Sequence, residues 1–185
     1  MESPVLGKDL YTRSTFAEAT LQHLDALYGF AMTLSRNEGV AADLVQETYV
    51  HTLRSWEQFT PGTHLKSWMF IILRNIWLNQ YRREKSGPQF VRIESENDEA
   101  QLSDGLVAQG DTPELSLLRT IKIKQVRMAI ESLPDVYREV ILLREMEGFS
   151  YREIAKIMQC AEGTIMSRLN RARLMLRNIL AGVIK

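Results

Sequence analysis

The chain holds a single cysteine, Cys160, so no intramolecular disulfide can form and no cysteine-based zinc site can be assembled. Its three histidines, His23, His51 and His64, lack metal-ligand spacing, and neither a metal nor a cofactor is expected. No surplus of charge exists: Lys plus Arg and Asp plus Glu both number 23. A free-standing DNA binder is usually basic, so this balance argues against one. Long apolar runs are missing too. The longest, from Trp68 to Leu73 and on past Arg74 to Leu78, is far shorter than the ~20 residues needed to span a bilayer. The stretch opening Met1, Glu2, Ser3, Pro4 has no basic region leading into an apolar one, so export is not expected and the cytoplasm is the default. There is no glycine-rich phosphate loop, no nucleophile paired with a base and no carboxylate cluster for two metals, and the chain does not read as an enzyme.

What is present is a globular composition, 45% hydrophobic and 25% charged over 185 residues, enough for one ordinary domain or two small ones. The charge is unevenly spread. Residues 1–85 carry nine basic and nine acidic side chains, 86–118 carry one and seven, and 119–185 carry thirteen and seven. The stretch from Ser86 to Pro113, with Gly87, Pro88, Gly105, Gly110 and the acids Glu94, Glu96, Asp98 and Glu99, has little apolar periodicity and reads as an acidic linker. On either side apolar residues recur at helical spacing: Leu24, Leu27, Tyr28, Ala31 and Leu34 before it, Ile123, Val126, Ile130 and Leu133 after it. The expected fold class is all-α, with two small helical domains, 1–85 and 119–185, joined by the flexible segment 86–118.

In the second domain, Leu133-Pro134-Asp135 is expected to end one helix and cap the next, and Gly148 to stop the helix running through Val140, Ile141 and Leu143. Ser150 with Glu153 fits a capping box for a helix over Tyr151 to Met158. Gln159, Cys160 and Ala161 then make a turn into a longer helix with Ile165, Leu169, Ala172 and Leu176 on its buried face. At 100° per residue Thr164, Ser167, Arg168 and Arg171 gather on another face. Charged residues on long helices commonly do no more than solvate a surface. Here the cap, the short turn and the segregated basic face agree on a helix-turn-helix whose arginines can pair with a guanine edge or a phosphate.

The strings Gly148-Phe149-Ser150-Tyr151-Arg152-Glu153-Ile154-Ala155 and Glu162-Gly163-Thr164-Ile165-Met166-Ser167-Arg168-Leu169-Asn170-Arg171-Ala172-Arg173 resemble region 4 of the sigma-70 family, in particular its extracytoplasmic-function (ECF) group. That resemblance implies minus-35 promoter contacts from Tyr151, Arg152, Glu162, Gly163, Thr164, Ser167, Arg168, Arg171 and Arg173.

Between Ala41 and Trp56 the periodicity places Ala41, Val45, Tyr49 and Trp56 on a packed side and Asp43, Gln46, Glu47, Val50 and Arg54 on a free one. Alone, that free side is an ordinary solvated face. Asp43-Leu44-Val45-Gln46-Glu47-Thr48 resembles sigma region 2.2, which implies that the face docks on the β′ coiled coil of core RNA polymerase. Pro61 to Trp68 forms a loop into a helix over Ser67 to Arg83, with Met69, Ile72, Leu73 and Ile76 as its core stripe. Arg74, Asn75, Asn79, Arg82 and Arg83 remain polar on that helix, while Trp68, Phe70, Trp77 and Tyr81 are mostly expected in the core. Rings interleaved with cations suit single-stranded DNA. The resemblance implies minus-10 contacts from Phe59, Thr60, His64 and Lys66 in the loop and from those five helix residues.

The resemblance covers roughly residues 16–85 and 119–178. It implies a promoter-specificity subunit whose partners are core RNA polymerase (β′ coiled coil and β flap), promoter DNA and an anti-sigma factor, with no membrane insertion. Such a subunit is cytoplasmic, nucleoid-associated when bound to polymerase, or held near the membrane by its anti-sigma factor, and serves a stress or envelope response. The rival reading, a conventional helix-turn-helix regulator that binds DNA without polymerase, requires a ligand or phosphoacceptor domain upstream. Residues 1–85 offer no alternating strand and helix pattern for one.

Overall fold

In the computed structural model, residues 12–60, 64–86 and 113–183 are described, and all regular structure among them is helical. Of the expected linker, 86–118, residues 87–112 lie outside them, as do the loop residues 61–63, whereas Ser86 and residues 113–118 prove to be helical. The first module is α1 (Arg13–Leu21), α2 (Leu24–Ser35), α3 (Glu38–Arg54), a 3-10 turn (Trp56–Gln58) and α4 (Leu65–Ser86). The second is α5 (Pro113–Glu131), α6 (Asp135–Ile141), a π-type turn (Leu142–Met146), α7 (Tyr151–Met158) and α8 (Glu162–Val183).

Local chemistry sets the boundaries. Arg36 takes the left-handed conformation after α2, and the Asn37 side chain then accepts from the Val40 amide at 3.0 Å to start α3. Gly148, at φ 74°, reverses the chain between the π-type turn and α7, a geometry that disfavours a side chain. Pro134, not Asp135, holds the cap position of α6 and makes no side-chain cap bond. Asp135 instead lies in the first turn, where its charge suits the helix dipole.

The packed side of α3 is Ala41, Leu44, Thr48 and Thr52, rotated from the expected Ala41, Val45 and Tyr49, which leaves Val45, Tyr49 and Trp56 half-buried. Two threonines escape an apolar-periodicity search. They bury without cost to hydrogen bonding because Thr48 donates to the Leu44 carbonyl at 2.7 Å and Thr52 to the Thr48 carbonyl at 2.8 Å. In α4 the expected stripe is extended by Phe70 and Trp77, while Trp68 is half-buried and Tyr81 exposed.

One apolar cluster runs through both modules, from Leu27, Phe30, Leu44, Phe70 and Leu73 to Leu143, Phe149, Ile154, Ile165 and Leu169. Phe70 and Phe149 meet at the junction, ring centroids 5.0 Å apart at 72°. Burying a phenylalanine contributes about 1.5 to 3 kcal/mol. A polar contact from Arg138 also joins the modules. The side chain of Arg138, 3% exposed, donates to the Leu133 carbonyl at 3.1 Å, to the Thr33 carbonyl at the end of α2 at 3.4 Å, and to Asp135. Its Nε has no partner, and burial, with Arg36 nearby, lowers its pKa against the opposing pull of Asp135.

Candidate polymerase and nucleic-acid interfaces

The helix-turn-helix follows from its caps. Ser150 Oγ accepts from the Glu153 amide at 3.3 Å, and Glu153 Oε2 accepts from the Ser150 amide at 2.8 Å, closing the expected capping box. Burial pushes the Glu153 carboxyl up. The Ser150 hydrogen bonds, then His64 and Lys156, outweigh that and hold it below its ordinary value. Gln159 in the left-handed conformation ends α7, and Ala161 opens α8 with its carbonyl accepting from the Thr164 amide at 2.9 Å.

Ile165, Leu169 and Ala172 bury one side of α8, and Leu176 is half-buried below them. Glu162, Gly163, Ser167, Arg171 and Arg173 are exposed, as is Arg152 on α7, while Thr164 and Arg168 are half-buried beside them. Arg168 reaches back to Cys160 Sγ at 4.0 Å, which places the thiol in the turn of the motif. Two expected contacts prove to be engaged within the module. Arg173 donates through Nη2 at 2.7 Å and Nε at 3.3 Å to Glu145, and that bond raises its pKa. Tyr151 lies half-buried under the Arg144 guanidinium, 5.1 Å from the ring centroid, and Arg144 also donates to the Phe149 carbonyl at 2.8 Å. Together these bonds brace α8 and the start of α7 against the π-type turn.

On α3 the residues Asp43, Gln46, Glu47, Val50 and Arg54 are all exposed, and Glu47 accepts from Gln80 of α4 at 3.0 Å. Val50 is an apolar side chain, 39% exposed, within that otherwise polar face. Thr60 and His64 flank the loop and are exposed. Phe59 is not: it is 9% exposed and packs on Phe16 and Trp68 at 5.7 and 5.4 Å. Its ring is therefore held in the aromatic cluster that follows the 3-10 turn rather than presented to a base.

Asn79, Arg82 and Arg83 lie exposed at the outer end of α4. At the inner end Lys66 pairs with Glu147 at 2.8 Å, Arg74 with Glu139 at 2.9 Å, and Asn75 accepts from Gln159 at 2.8 Å. Sequence reasoning missed Glu139, Glu147 and Gln159. Glu139 had a signal, since Arg138-Glu139 interrupts the apolar run from Val136 to Leu143 where unpaired charge cannot be buried.

Residues 20–87 match the family model for sigma-70 region 2, and residues 123–176 match that for sigma-70 region 4. The chain belongs to the sigma-70 family. Among its relatives is the ECF RNA polymerase sigma factor EcfG of Rhodopseudomonas palustris, 38% identical over 153 residues that make up 83% of this chain and 78% of that one. The ECF RNA polymerase sigma-E factor of Haemophilus influenzae is 34% identical over 145 residues, 78% of this chain and 76% of that one. Among solved structures, the Bartonella quintana sigma factor RpoE, crystallised with the anti-sigma factor NepR, superposes with a TM-score of 0.66 at 34% identity, covering 91% of this chain and 98% of that one. As an ECF sigma factor the protein is a transcription initiation factor and not an enzyme. No helix among the described residues is long and apolar enough to cross a membrane.

Proposed function

We propose that this sigma factor docks on the β′ coiled coil of core RNA polymerase through Asp43, Gln46, Glu47, Val50 and Arg54. Held there, it reads the minus-10 element with Thr60, His64, Lys66, Arg74, Asn75, Asn79, Arg82 and Arg83. The minus-35 element is read by Arg152, Glu162, Gly163, Thr164, Ser167, Arg168 and Arg171, with Arg173 and Tyr151 fixing the recognition helix in place. The observation that carries the reading is the capped α7, three-residue turn and α8, whose Ser167 and Arg171 face solvent opposite a fully buried Ile165, Leu169 and Ala172. Residues up to Ser86 and from Pro113 onward are the two functional modules, and 87–112 is the tether between them.

A neutral chain has little phosphate-neutralising charge to spare, so polymerase must bring both modules to the promoter together and raise their effective concentration. Exposed apolar side chains on α5 (Ile121, Ile123, Val126 and Met128) and Leu174 on α8 offer the β flap or an anti-sigma factor an apolar surface. The RpoE–NepR pair supports an anti-sigma partner, and the protein works in the cytoplasm, in a stress or envelope response. The test is titration of core polymerase with fluorescently labelled protein. Asp43→Ala/Glu47→Ala should weaken binding at least tenfold, about 1.4 kcal/mol or more. Unchanged affinity would remove α3 as the docking face.

A further inference from the structure

The turn that precedes the helix-turn-helix departs from ordinary helix geometry. Across Leu142–Met146 the Glu147 amide donates to the Leu142 carbonyl at 3.1 Å, one residue further along than in an α-helix, and Met146 is left 69% exposed. Neither feature serves packing, since an apolar side chain is given to water and regular α-helical bonding is lost. Local rules broken without a packing gain point to a functional demand, and widened turns of this kind occur frequently at functional sites. This one places two neighbouring charges. Arg144 and Glu145 are consecutive, yet they reach different parts of the motif. The Arg144 guanidinium lies 5.1 Å from the centroid of the Tyr151 ring and donates to the Phe149 carbonyl at 2.8 Å, while Glu145 accepts from Arg173 of α8 at 2.7 Å.

We infer that Arg144 is a further positioning residue for minus-35 reading: it fixes where α7 begins and, with Glu145, the angle at which α8 presents Ser167 and Arg171 to the groove. The inference rests on the minus-35 assignment above. Phe149 and Tyr151 flank Ser150, the N-cap of α7, so a guanidinium bound to both holds the chain on either side of the cap. From there α7 passes the setting to α8, because Ile154, Ile157, Ile165 and Leu169 are buried in one close-packed cluster that transmits displacement. Arginine suits the place. Its planar guanidinium can lie on a ring while its N–H groups donate elsewhere, whereas a lysine ammonium is a compact point charge. A recognition helix that loses its setting loses base contacts first, because paired bonds to a base edge demand alignment, while the phosphate contacts that supply affinity carry no sequence information.

The test is initiation by core polymerase reconstituted with the full chain. It is measured on the strongest promoter selected from pooled genomic fragments and on that promoter with each minus-35 base substituted. The ratio of the two rates is the discrimination. Arg144→Met, which keeps an unbranched stem of similar reach, should lower that ratio about tenfold, the scale of one lost bidentate base contact, with core binding unchanged. Arg144→Lys should lower it comparably, since charge without the plane does not hold the ring. A role in stability alone would scale all promoters by one factor and leave the ratio unmoved. Because Arg144 acts through Tyr151, the pair Arg144→Met/Tyr151→Ala should discriminate no worse than Tyr151→Ala. Circular dichroism checks helix content, and Arg144→Lys decides if Arg144→Met loses it. A wild-type ratio in either folded variant would overturn the inference, as would a double variant clearly worse than Tyr151→Ala. If wild type itself starts no transcript, the assignment of function fails, and hydrogen exchange on the chain alone decides for Arg144. Amides of α7 and α8 should then exchange about tenfold faster in Arg144→Met with α3 unaffected, and unchanged exchange would overturn the positioning role.

Discussion

Replacing Ser150 by alanine removes two of the three hydrogen bonds that start α7. The hydroxyl accepts from the Glu153 amide at 3.3 Å and lies 2.6 Å from Glu153 Oε2, and both contacts go. The Ser150 amide still reaches Oε2 at 2.8 Å, so half of the capping box survives. Losing an N-cap side chain costs about 0.5 to 2 kcal/mol, and the surviving bond places this site near 1 kcal/mol. In a unit of this size each kcal/mol lowers the unfolding midpoint by about 4 to 8 °C. Differential scanning calorimetry should show a drop of that order, and Ser150→Thr, which keeps a hydroxyl, should recover most of it. The Glu153 carboxyl, followed by NMR, should titrate higher in Ser150→Ala because a bond favouring its ionised form is gone. A midpoint within about 1 °C of wild type, or an unmoved Glu153 titration, would refute the reasoning.

Three further outcomes follow. If Arg173 acts by bracing α8, Arg173→Ala should weaken minus-35 duplex binding equally on all sequences. Glu145→Ala should do the same, and the double variant should be no weaker than either alone, whereas Arg171→Ala should alter preference at particular bases. His23 is lowered from 6.5 by burial, with Lys66 adding to the effect and Glu147 opposing it. A base depressed in the folded form binds fewer protons there than when released, so its contribution is lost as pH falls below 6.5. Thermal melts should therefore show stability declining from about pH 7 to pH 5.5, and His23→Gln should flatten that slope. Phe59→Ala, by emptying the space between Phe16 and Trp68, should destabilise the first module by about 3 to 5 kcal/mol, whereas Thr60→Ala should leave stability within about 0.5 kcal/mol.

The helices were legible wherever local chemistry decides them. Ser150 and Glu153 announce α7, Gly148 the reversal before it, and the spacing of Ile165, Leu169 and Ala172 the buried side of α8. Patterns defined by apolar residues alone failed where polar residues bury. Thr48 and Thr52 pack because each satisfies its hydroxyl on the preceding turn, and this displaces the packed side of α3. The exposed face of that helix is legible nonetheless, since five polar or solvent-tolerant positions define it independently. Cross-module pairs such as Arg74–Glu139 were out of reach, because the two residues lie 65 positions apart and local periodicity carries no information about which surfaces meet. The same holds for Arg173 and Glu145, 28 positions apart, where a groove-reading arginine and a bracing one look alike in sequence.

The most direct test of promoter selection by this chain is run-off transcription with purified core RNA polymerase on pooled promoter DNA from the source organism. The account predicts discrete transcripts that require the protein and disappear with Asp43→Ala/Glu47→Ala. Each start site should be preceded by two sequence elements, the upstream one sensitive to Arg171→Ala and the downstream one to Asn79→Ala. Absence of transcripts, with the protein shifting duplex DNA in the absence of polymerase, would contradict it and favour a conventional helix-turn-helix regulator.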